Sequence, residues 1–560
     1  MTRGLGRGLT DYGDRDFSLY FRRAFAKSMG YSDEMLERPI VGIATSGGGF
    51  NNCHRTMPEL VAAVSRGVIA SGGLPLEFPT ISLGEPFLAP TSMMFRNLMS
   101  MDVEEMIRAQ PMDAVVTIGG CDKTLPAQLM GALSAGKPAI ALAVGPMLTG
   151  RFEGTRVGAC TDCRAYWARY RAGELSREAI GEVESNLGVT AGTCAVMGTA
   201  STMACVTEAL GMSLPGSATP PAVHAQRLRV AEATGCRAVA LASEGLTPER
   251  IVTPASLENA LRVLLALGGS TNAVIHLTAI AGRLGIPLSL ERFNALSADT
   301  PVLVNLKPVG NAYMEDFHAA GGLGAVLREL APKLHLETRS VAGETLAERL
   351  AREPAYVDRL VVAASDAPLV ERDALVALFG NLAPKGALLK AAAADARLLE
   401  HEGRAVVFTG LEDLAQRIDR PDLAVEPGDV LVLQNAGPLG AGMPEAGYLP
   451  IPKKLAERGV RDMLRVSDAR MSGTAYGAVV LHVSPESAAG GPLGAVRDGD
   501  RIRISLRQKR IDVLLSEEDL SRRLRAFVPP ALPARGYARI YAQQMLGAED
   551  GCDFECLRAS

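Results

Sequence analysis

The sequence predicts an α/β protein in two parts: an N-terminal parallel α/β domain with a helical extension over residues 1–367, and a C-terminal β-barrel-like domain over residues 368–560. Three observations predict it. From Pro39 onward, short apolar runs alternate with amphipathic stretches, the pattern of strand and helix units that builds a parallel sheet. Past the middle of the chain, β-rich runs separated by Gly and Pro take over, a spacing that suits a closed β architecture. The chain also has 560 residues, 48% of them hydrophobic, whereas single cores stop growing at about 250–300 residues.

The elements follow in order. Ile40 to Ala44 reads as the first strand and Pro58 to Ala70 as its helix; Glu77 to Leu83 and Ser92 to Ala109 form the second pair, Asp113 to Ile118 and Lys123 to Ala135 the third. Ala139 to Val144 reads as a fourth strand. Between Glu174 and Leu296 the pattern is mostly helical, with periodic segments at Arg177 to Leu187, Ala200 to Leu210, Pro221 to Thr234 and Leu257 to Leu267. After a charged, helix-like stretch from Gly343 to Arg352 come the β-rich runs Arg404 to Thr409, Asp429 to Gln434, Tyr476 to Val483, Asp500 to Leu506 and Arg510 to Leu515. The boundary is expected between Ala364 and Val370, and no internal repeat is evident.

Charge and composition exclude several classes of function. The 58 basic and 62 acidic side chains are dispersed and leave a net charge of -4, so there is no electrostatic footprint for nucleic acid or an anionic membrane. No apolar run approaches the roughly 18 residues of a membrane helix. The N-terminus, MTRGLGRGLTDYGDRDF, lacks an apolar h-region and carries acids early, unlike a secretory signal or transit peptide. A soluble cytoplasmic chain with a small-molecule partner is expected. Its nine cysteines would then serve metal binding, catalysis or burial rather than disulfides, because that compartment is reducing.

Three cysteines stand where an α/β fold puts function. Cys53 ends the Gly-rich SGGGFNNC after the first strand, Cys121 follows the third in GGCDKTLP, and Cys194 lies in AGTCAVMGTASTM before a helix. Ligands of open α/β sheets bind beyond the carboxyl ends of the strands, and nearby backbone N–H groups favour the thiolate that binds metal. A lone cysteine is usually a small buried residue; two on strand ends at one rim shift that balance. Glu85 in ISLGEP and Asp122 beside Lys123 add carboxylates suited to Mg2+, although Asp122 could equally be a helix N-cap. Further on, QNAGPLGAGMPEAG carries Glu445 and SDARMSGTAYG carries Ser472 and Thr474, on loops whose glycines allow close approach to a ligand or merely turn the chain.

Other motifs carry less. GALSAGKP resembles a phosphate-binding loop, but Pro138 replaces the hydroxyl that would hold Mg2+. Cys160 and Cys163 form a lone C-x2-C, open to zinc, redox or cluster readings, with no second pair to complete a site; Cys552 and Cys556 are a looser tail pair. His276, in GGSTNAVIHL, reads as a satisfied core histidine.

On GGCDKTLPA, GTCAVMGTASTM, GGSTNAVIHL, GPLGAGMPE and SDARMSGTAYG, in that order, the sequence resembles the dihydroxy-acid dehydratase and phosphogluconate dehydratase family over nearly its whole length. SLGE and PTSMMFRNLMSMDVEEMIRAQPMD resemble the sugar-acid (aldonate) branch. The resemblance implies a hydro-lyase that converts an aldonate to a 2-keto-3-deoxy acid. It further implies a 2Fe-2S cluster on Cys53, Cys121 and Cys194, Mg2+ on Glu85, Asp122, Glu445 and a carbamylated Lys123, Ser472 as the base with Thr474 near the substrate, and a homodimer or homotetramer. Two departures stand out: the thiols at 160, 163, 552 and 556, and Gln434 where a basic residue is expected. The alternatives are a dihydroxy-acid dehydratase of branched-chain amino-acid synthesis and, in another class, a zinc or thiol-redox protein built on Cys160 and Cys163.

Overall fold

The computed structural model describes residues 3–9 and 13–559, so part of the N-terminal segment read as leaderless, and Ser560 of the terminal GCDFECLRAS, lie outside the described residues. Four parallel strands, β1 (Ile40–Thr45), β2 (Leu74–Pro79), β3 (Ala114–Gly119) and β4 (Ala139–Ala143), form a sheet in the order β2-β1-β3-β4. Every residue of β1, β3 and β4 is buried, because helices cover both faces of a parallel sheet and such strands read as unbroken apolar runs. The chain leaves β1 for β2 on one side and returns to β3 on the other. The loops after β1 and β3 therefore diverge around a crevice at the point where the strand order reverses, the usual ligand position in open α/β sheets.

The second strand lies earlier than the Glu77 to Leu83 expected. Its register is set by pairing with β1, from Ile40–Leu74 to Thr45–Pro79, and it ends at a proline, which has no N–H to continue the ladder. A short hairpin, β5 (Gly150–Phe152) with β6 (Thr155–Val157), leads into the helices Thr161–Arg171 and Arg177–Leu187. The helical extension consists of Thr199–Ala209, Ala225–Glu244, Pro254–Ala266 and Asn272–Gly282; the last is buried along its whole length. The phosphate-loop decoy is the end of the helix Thr124–Ala135 turning into β4. No described helix is long and apolar enough to cross a membrane.

The C-terminal part is one mixed sheet of eight strands: β7 (Val376–Leu378), β8 (Gly386–Leu389), β9 (Glu400–Phe408), β10 (Val430–Leu433), β11 (Arg465–Ser467), β12 (Val479–Ser484), β13 (Arg501–Ser505) and β14 (Arg510–Val513). Their order is β14-β13-β9-β10-β11-β12-β8-β7. The two edges meet at Phe379, whose N–H donates to Lys509 O at 3.0 Å and whose carbonyl accepts from Ile511 N at 2.9 Å, so the sheet curls nearly into a barrel. Side chains alternate as the pleat requires: Ala405, Val407, Val430 and Val432 belong to one apolar cluster, Val406, Phe408, Leu431 and Leu433 to another. β7, β8 and β11, absent from the sequence expectation, are too short for a period to register. The segment 361–370 still pairs with the first domain through the bridges Val304–Val362 and Val302–Val370, and we propose a domain division close to 367/368.

Candidate active site

The loops after β1 and β3 carry Cys53 and Cys121 to the crevice, where the two thiols hydrogen-bond each other. That contact, together with burial, holds the Cys53 thiol well above its ordinary value. The segment between β2 and the helix Arg96–Ala109 brings Glu85 alongside, its backbone N–H 3.4 Å from Cys121 Sγ. Gly84 makes this approach possible, since a methyl group there would fall 2.0 Å from Phe50 O. Glu85 lies in a short turn, Glu85–Phe87, rather than at a strand end. Cys194 arrives from a loop ahead of the helix Thr199–Ala209 and stands 3.6 Å, sulfur to sulfur, from Cys160.

The barrel supplies the facing wall. The loop after β10 carries Glu445 and the loop after β11 carries Ser472 and Thr474. Asp468, in the second loop, ties it to the first by accepting from Ala436 N and to the segment after β12 by accepting from Ser487 N, both at 2.9 Å. The GGSTN segment then docks the second loop onto the first domain. Asn272 Nδ2 donates to Met471 O at 3.1 Å and to Thr199 Oγ1 at 3.1 Å, and a methyl on Gly473 would sit 2.6 Å from Ser270 Cβ. Three of the signature segments therefore meet across the domain contact.

All of this encloses a cavity of about 500 Å³ lined by Cys53, Glu85, Cys121, Asp122, Cys160, Arg164, Cys194, Glu445, Ser472 and Thr474. Of the sequence-predicted site residues, Lys123 alone is absent from the wall. It is fully buried behind it, with Nζ 3.4 Å from Glu85 Oε2 and 3.6 Å from Asp122 Oδ2. The N-cap of the helix Thr124–Ala135 is Lys123, without a side-chain cap, so Asp122 does not have the capping role that was its alternative.

The electrostatics centre on Arg470, which sequence reasoning passed over although it lies in SDARMSG. Its guanidinium is buried, with Nη1 2.5 Å from Glu445 Oε1 and Nη2 2.6 Å from Glu85 Oε1; Nε donates to Met443 O at 2.8 Å. Burial alone would raise the Glu85 carboxyl, but Arg470 and Lys123 override it and hold it well below the usual range, helped by a hydrogen bond from Ser92. Burial pushes Glu445 up to about 7 against the pull of Arg470, and raises Asp122 against the pull of Lys123. Three carboxylates lining one cavity from its two walls form a hard-oxygen donor set, although among the described residues no three His, Cys, Asp or Glu side chains are already drawn into a cage for a bare ion. Ser472 Oγ and Thr474 Oγ1 stand 2.7 Å apart.

Two more residues were missed. Arg164 lines the cavity with its Nε buried and unpartnered among the described residues, its charge 3.9 Å from Glu445 and stacked over Tyr448. His54 is buried between the β1 and β3 loops. His276 is the core histidine expected, held at Nδ1 by Arg96 at 3.1 Å, although its Nε2 has no partner among the described residues. Gln434 makes no contact at the site: its amide donates to Leu493 O and Val496 O within the barrel. Cys552 is buried against Met443, in an apolar cluster with Met93 and Ile275.

The sequence profile of the dihydroxy-acid/6-phosphogluconate dehydratase N-terminal domain matches residues 38–349, and that of the corresponding C-terminal domain matches residues 360–552. The chain is 45% identical to L-arabonate dehydratase of Azospirillum brasilense over 98% of its own length and 96% of the relative's. It is 44% identical to 6-deoxy-6-sulfo-D-gluconate dehydratase of Pseudomonas putida, over 94% and 92%. Against dihydroxy-acid dehydratase of Pyrococcus abyssi the identity is 39%, over 95% and 97%.

Proposed function

The chain belongs to the dihydroxy-acid/6-phosphogluconate dehydratase family, and from that premise we propose that this hydro-lyase removes water from a 2,3-dihydroxy sugar acid to give a 2-keto-3-deoxy acid. One observation carries the reading: thiols, carboxylates and a paired serine and threonine from both halves of the chain line a single cavity of about 500 Å³. The volume suits a small polar substrate. The relatives named for sugar acids share 44–45% of their residues with this chain, against 39% for the dihydroxy-acid dehydratase, which favours the aldonate class.

The donor set fits the cofactors that the family resemblance implies. Cys53, Cys121 and Cys194 would hold an iron-sulfur cluster of the 2Fe-2S type, and Glu85, Asp122 and Glu445 would hold Mg2+, with Lys123 behind them contributing as a carbamate. When bound, these groups would supply Lewis acids for the departing C3 hydroxyl and for the charge that develops beside the substrate carboxylate. Ser472 Oγ, as the alkoxide, takes the C2 proton and becomes the hydroxyl, and the Thr474 hydroxyl at 2.7 Å orients it. Arg470 sets the positions of Glu85 and Glu445. Carbamylation of Lys123 would replace a positive charge by a negative one beside Glu85 and Asp122, strengthening the wall's attraction for a divalent cation.

All nine cysteines are free, which suits a reducing cytoplasm, and assembly as a homodimer or homotetramer belongs to the same reading. The test is turnover of a panel of four- to six-carbon aldonates by anaerobically purified protein, with 2,3-dihydroxyisovalerate beside them. A 2-keto-3-deoxy product from an aldonate is expected, because a pocket built to hydrogen-bond several hydroxyls rejects an analogue that lacks them. Turnover confined to 2,3-dihydroxyisovalerate would move the chain to the branched-chain acids, and protein without iron or turnover would end the reading.

A further inference from the structure

The function proposed above uses three thiols, yet the structure gathers five. Cys160 Sγ is 3.6 Å from Cys194 Sγ and lines the same cavity. On its other side Cys160 hydrogen-bonds with the Cys163 thiol, which also donates to Cys160 O at 2.6 Å. Cys160 is the N-cap of the helix Thr161–Arg171, and Cys163 sits in its first turn. This places a C-x2-C pair at a helix N-terminus, where backbone N–H groups favour thiolate chemistry.

The second observation is a separate cavity. Cys163 lines a cavity of about 590 Å³ together with Trp167, Tyr170 and Arg177, and Trp167 is 54% exposed, so this cavity reaches solvent. Cys160 thus contacts both Cys194, at the site, and Cys163, which lines the second cavity.

We propose that Cys160 and Cys163 are a dithiol that rescues Cys194 from oxidation whenever the site is without its cluster. Cys194 Sγ attacks an oxidant of the peroxide class, the O–O bond breaks, the thiol proton goes to the departing oxygen, which leaves as water, and a sulfenic acid forms. The Cys160 thiolate then attacks that sulfur, a Cys160–Cys194 S–S bond forms as the S–O bond breaks, and the departing hydroxide takes a proton and leaves as a second water. In sum, two thiols lose two electrons and two protons to one peroxide. Cys163 then attacks Cys160 Sγ, the bond to Cys194 breaks, and the electron pair and a proton return to Cys194. The resulting Cys160–Cys163 disulfide faces the second cavity, where two small thiols of the glutathione class reduce it and leave as their own disulfide. Without such capture the sulfenic acid climbs to sulfinic and sulfonic acids, which thiols do not reverse.

The purpose of the relay rests on the reading of Cys194 as a cluster ligand, but its chemistry can be tested without turnover. Iron-free full-length chain is treated with one equivalent of hydrogen peroxide, and its peptides are mapped by mass spectrometry without reduction. Wild type is expected to yield Cys160–Cys194 and then Cys160–Cys163 cross-links, Cys163→Ser to stop at Cys160–Cys194, and Cys160→Ser to accumulate Cys194 carrying two or three oxygens. Visible absorbance after thiol reduction and reconstitution with iron and sulfide is expected to return in wild type and to be lost in Cys160→Ser. Wild type that links no two of these three cysteines overturns the proposal, as does a Cys194 that resists peroxide equally well without Cys160. Cross-links in a protein that dehydrates no aldonate would sink the proposed function and leave the relay standing.

Discussion

His54 Nε2 accepts the backbone N–H of Cys121 at 3.2 Å, and that of Gly120 at 3.0 Å, while Nδ1 lies 2.8 Å from Ser46 O. With the proton on Nδ1 the ring spans the crevice as a neutral strut between the β1 and β3 loops, and burial lowers its pKa to about 4, which keeps it neutral. The residue next to Cys53 thereby fixes the backbone of Cys121. In His54→Ala two buried amides lose their acceptor, at about 1–3 kcal/mol each. We expect a folded protein with a lower thermal midpoint that retains several-fold less iron per chain. Iron content and midpoint both equal to wild type would show that something else holds the two loops.

Arg470 reaches Glu85 and Glu445 with different nitrogens of one fork, a geometry that a lysine ammonium cannot reproduce. Arg470→Lys keeps the charge but frees one carboxylate, and a displacement of about 1 Å in a site of this kind can cost ~10²-fold in rate. Arg470→Met removes the cation between the two carboxylates and leaves Glu85 to Lys123 at 3.4 Å and Glu445 to Arg164 at 3.9 Å, at a cost of at most about 3–5 kcal/mol of stability. Denaturant unfolding and kcat on the best aldonate test both, and Arg470→Lys with wild-type kcat would remove the positioning role.

The sequence made parts of this arrangement legible and hid others for a physical reason. Cys53, Cys121 and Glu445 lie on loops at strand ends, so a local pattern of apolar run, glycine and reactive side chain was enough to bring them forward. His54 and Arg470 act by reaching across the fold: Arg470 is 385 residues from Glu85, and nothing in the neighbourhood of either residue in the sequence encodes that contact. The long buried strands β1, β3 and β4 were readable, whereas β7, β8 and β11 were not, because three or four residues within Gly- and Pro-rich sequence carry no period.

Ser472 and Thr474 share a hydrogen bond at 2.7 Å, with Gly473 pressed between them against Ser270. If Ser472 takes the substrate proton, Ser472→Ala should lower kcat by about 10²–10⁴-fold, the range of a lost general base, without disturbing the visible absorbance or the iron content. Thr474→Val should have the smaller effect, because it removes only the partner. Full turnover in Ser472→Ala would assign the proton to another group.

Lys390, at the end of β8, is fully buried, and its Nζ has no hydrogen-bond partner among the described residues. Burial lowers its pKa to about 7 from an ordinary value of 10.5. Between those values the unfolded chain binds a proton that the folded chain does not, so stability should rise as pH climbs from about 7 towards 10.5 and level off below 7. Lys390→Met removes this term. It should flatten the pH dependence over that window and stabilise the protein near pH 7 by on the order of a few kcal/mol. Urea midpoints measured across the window for both proteins decide it. Equal slopes would mean that Lys390 finds a partner for its charge in the folded chain.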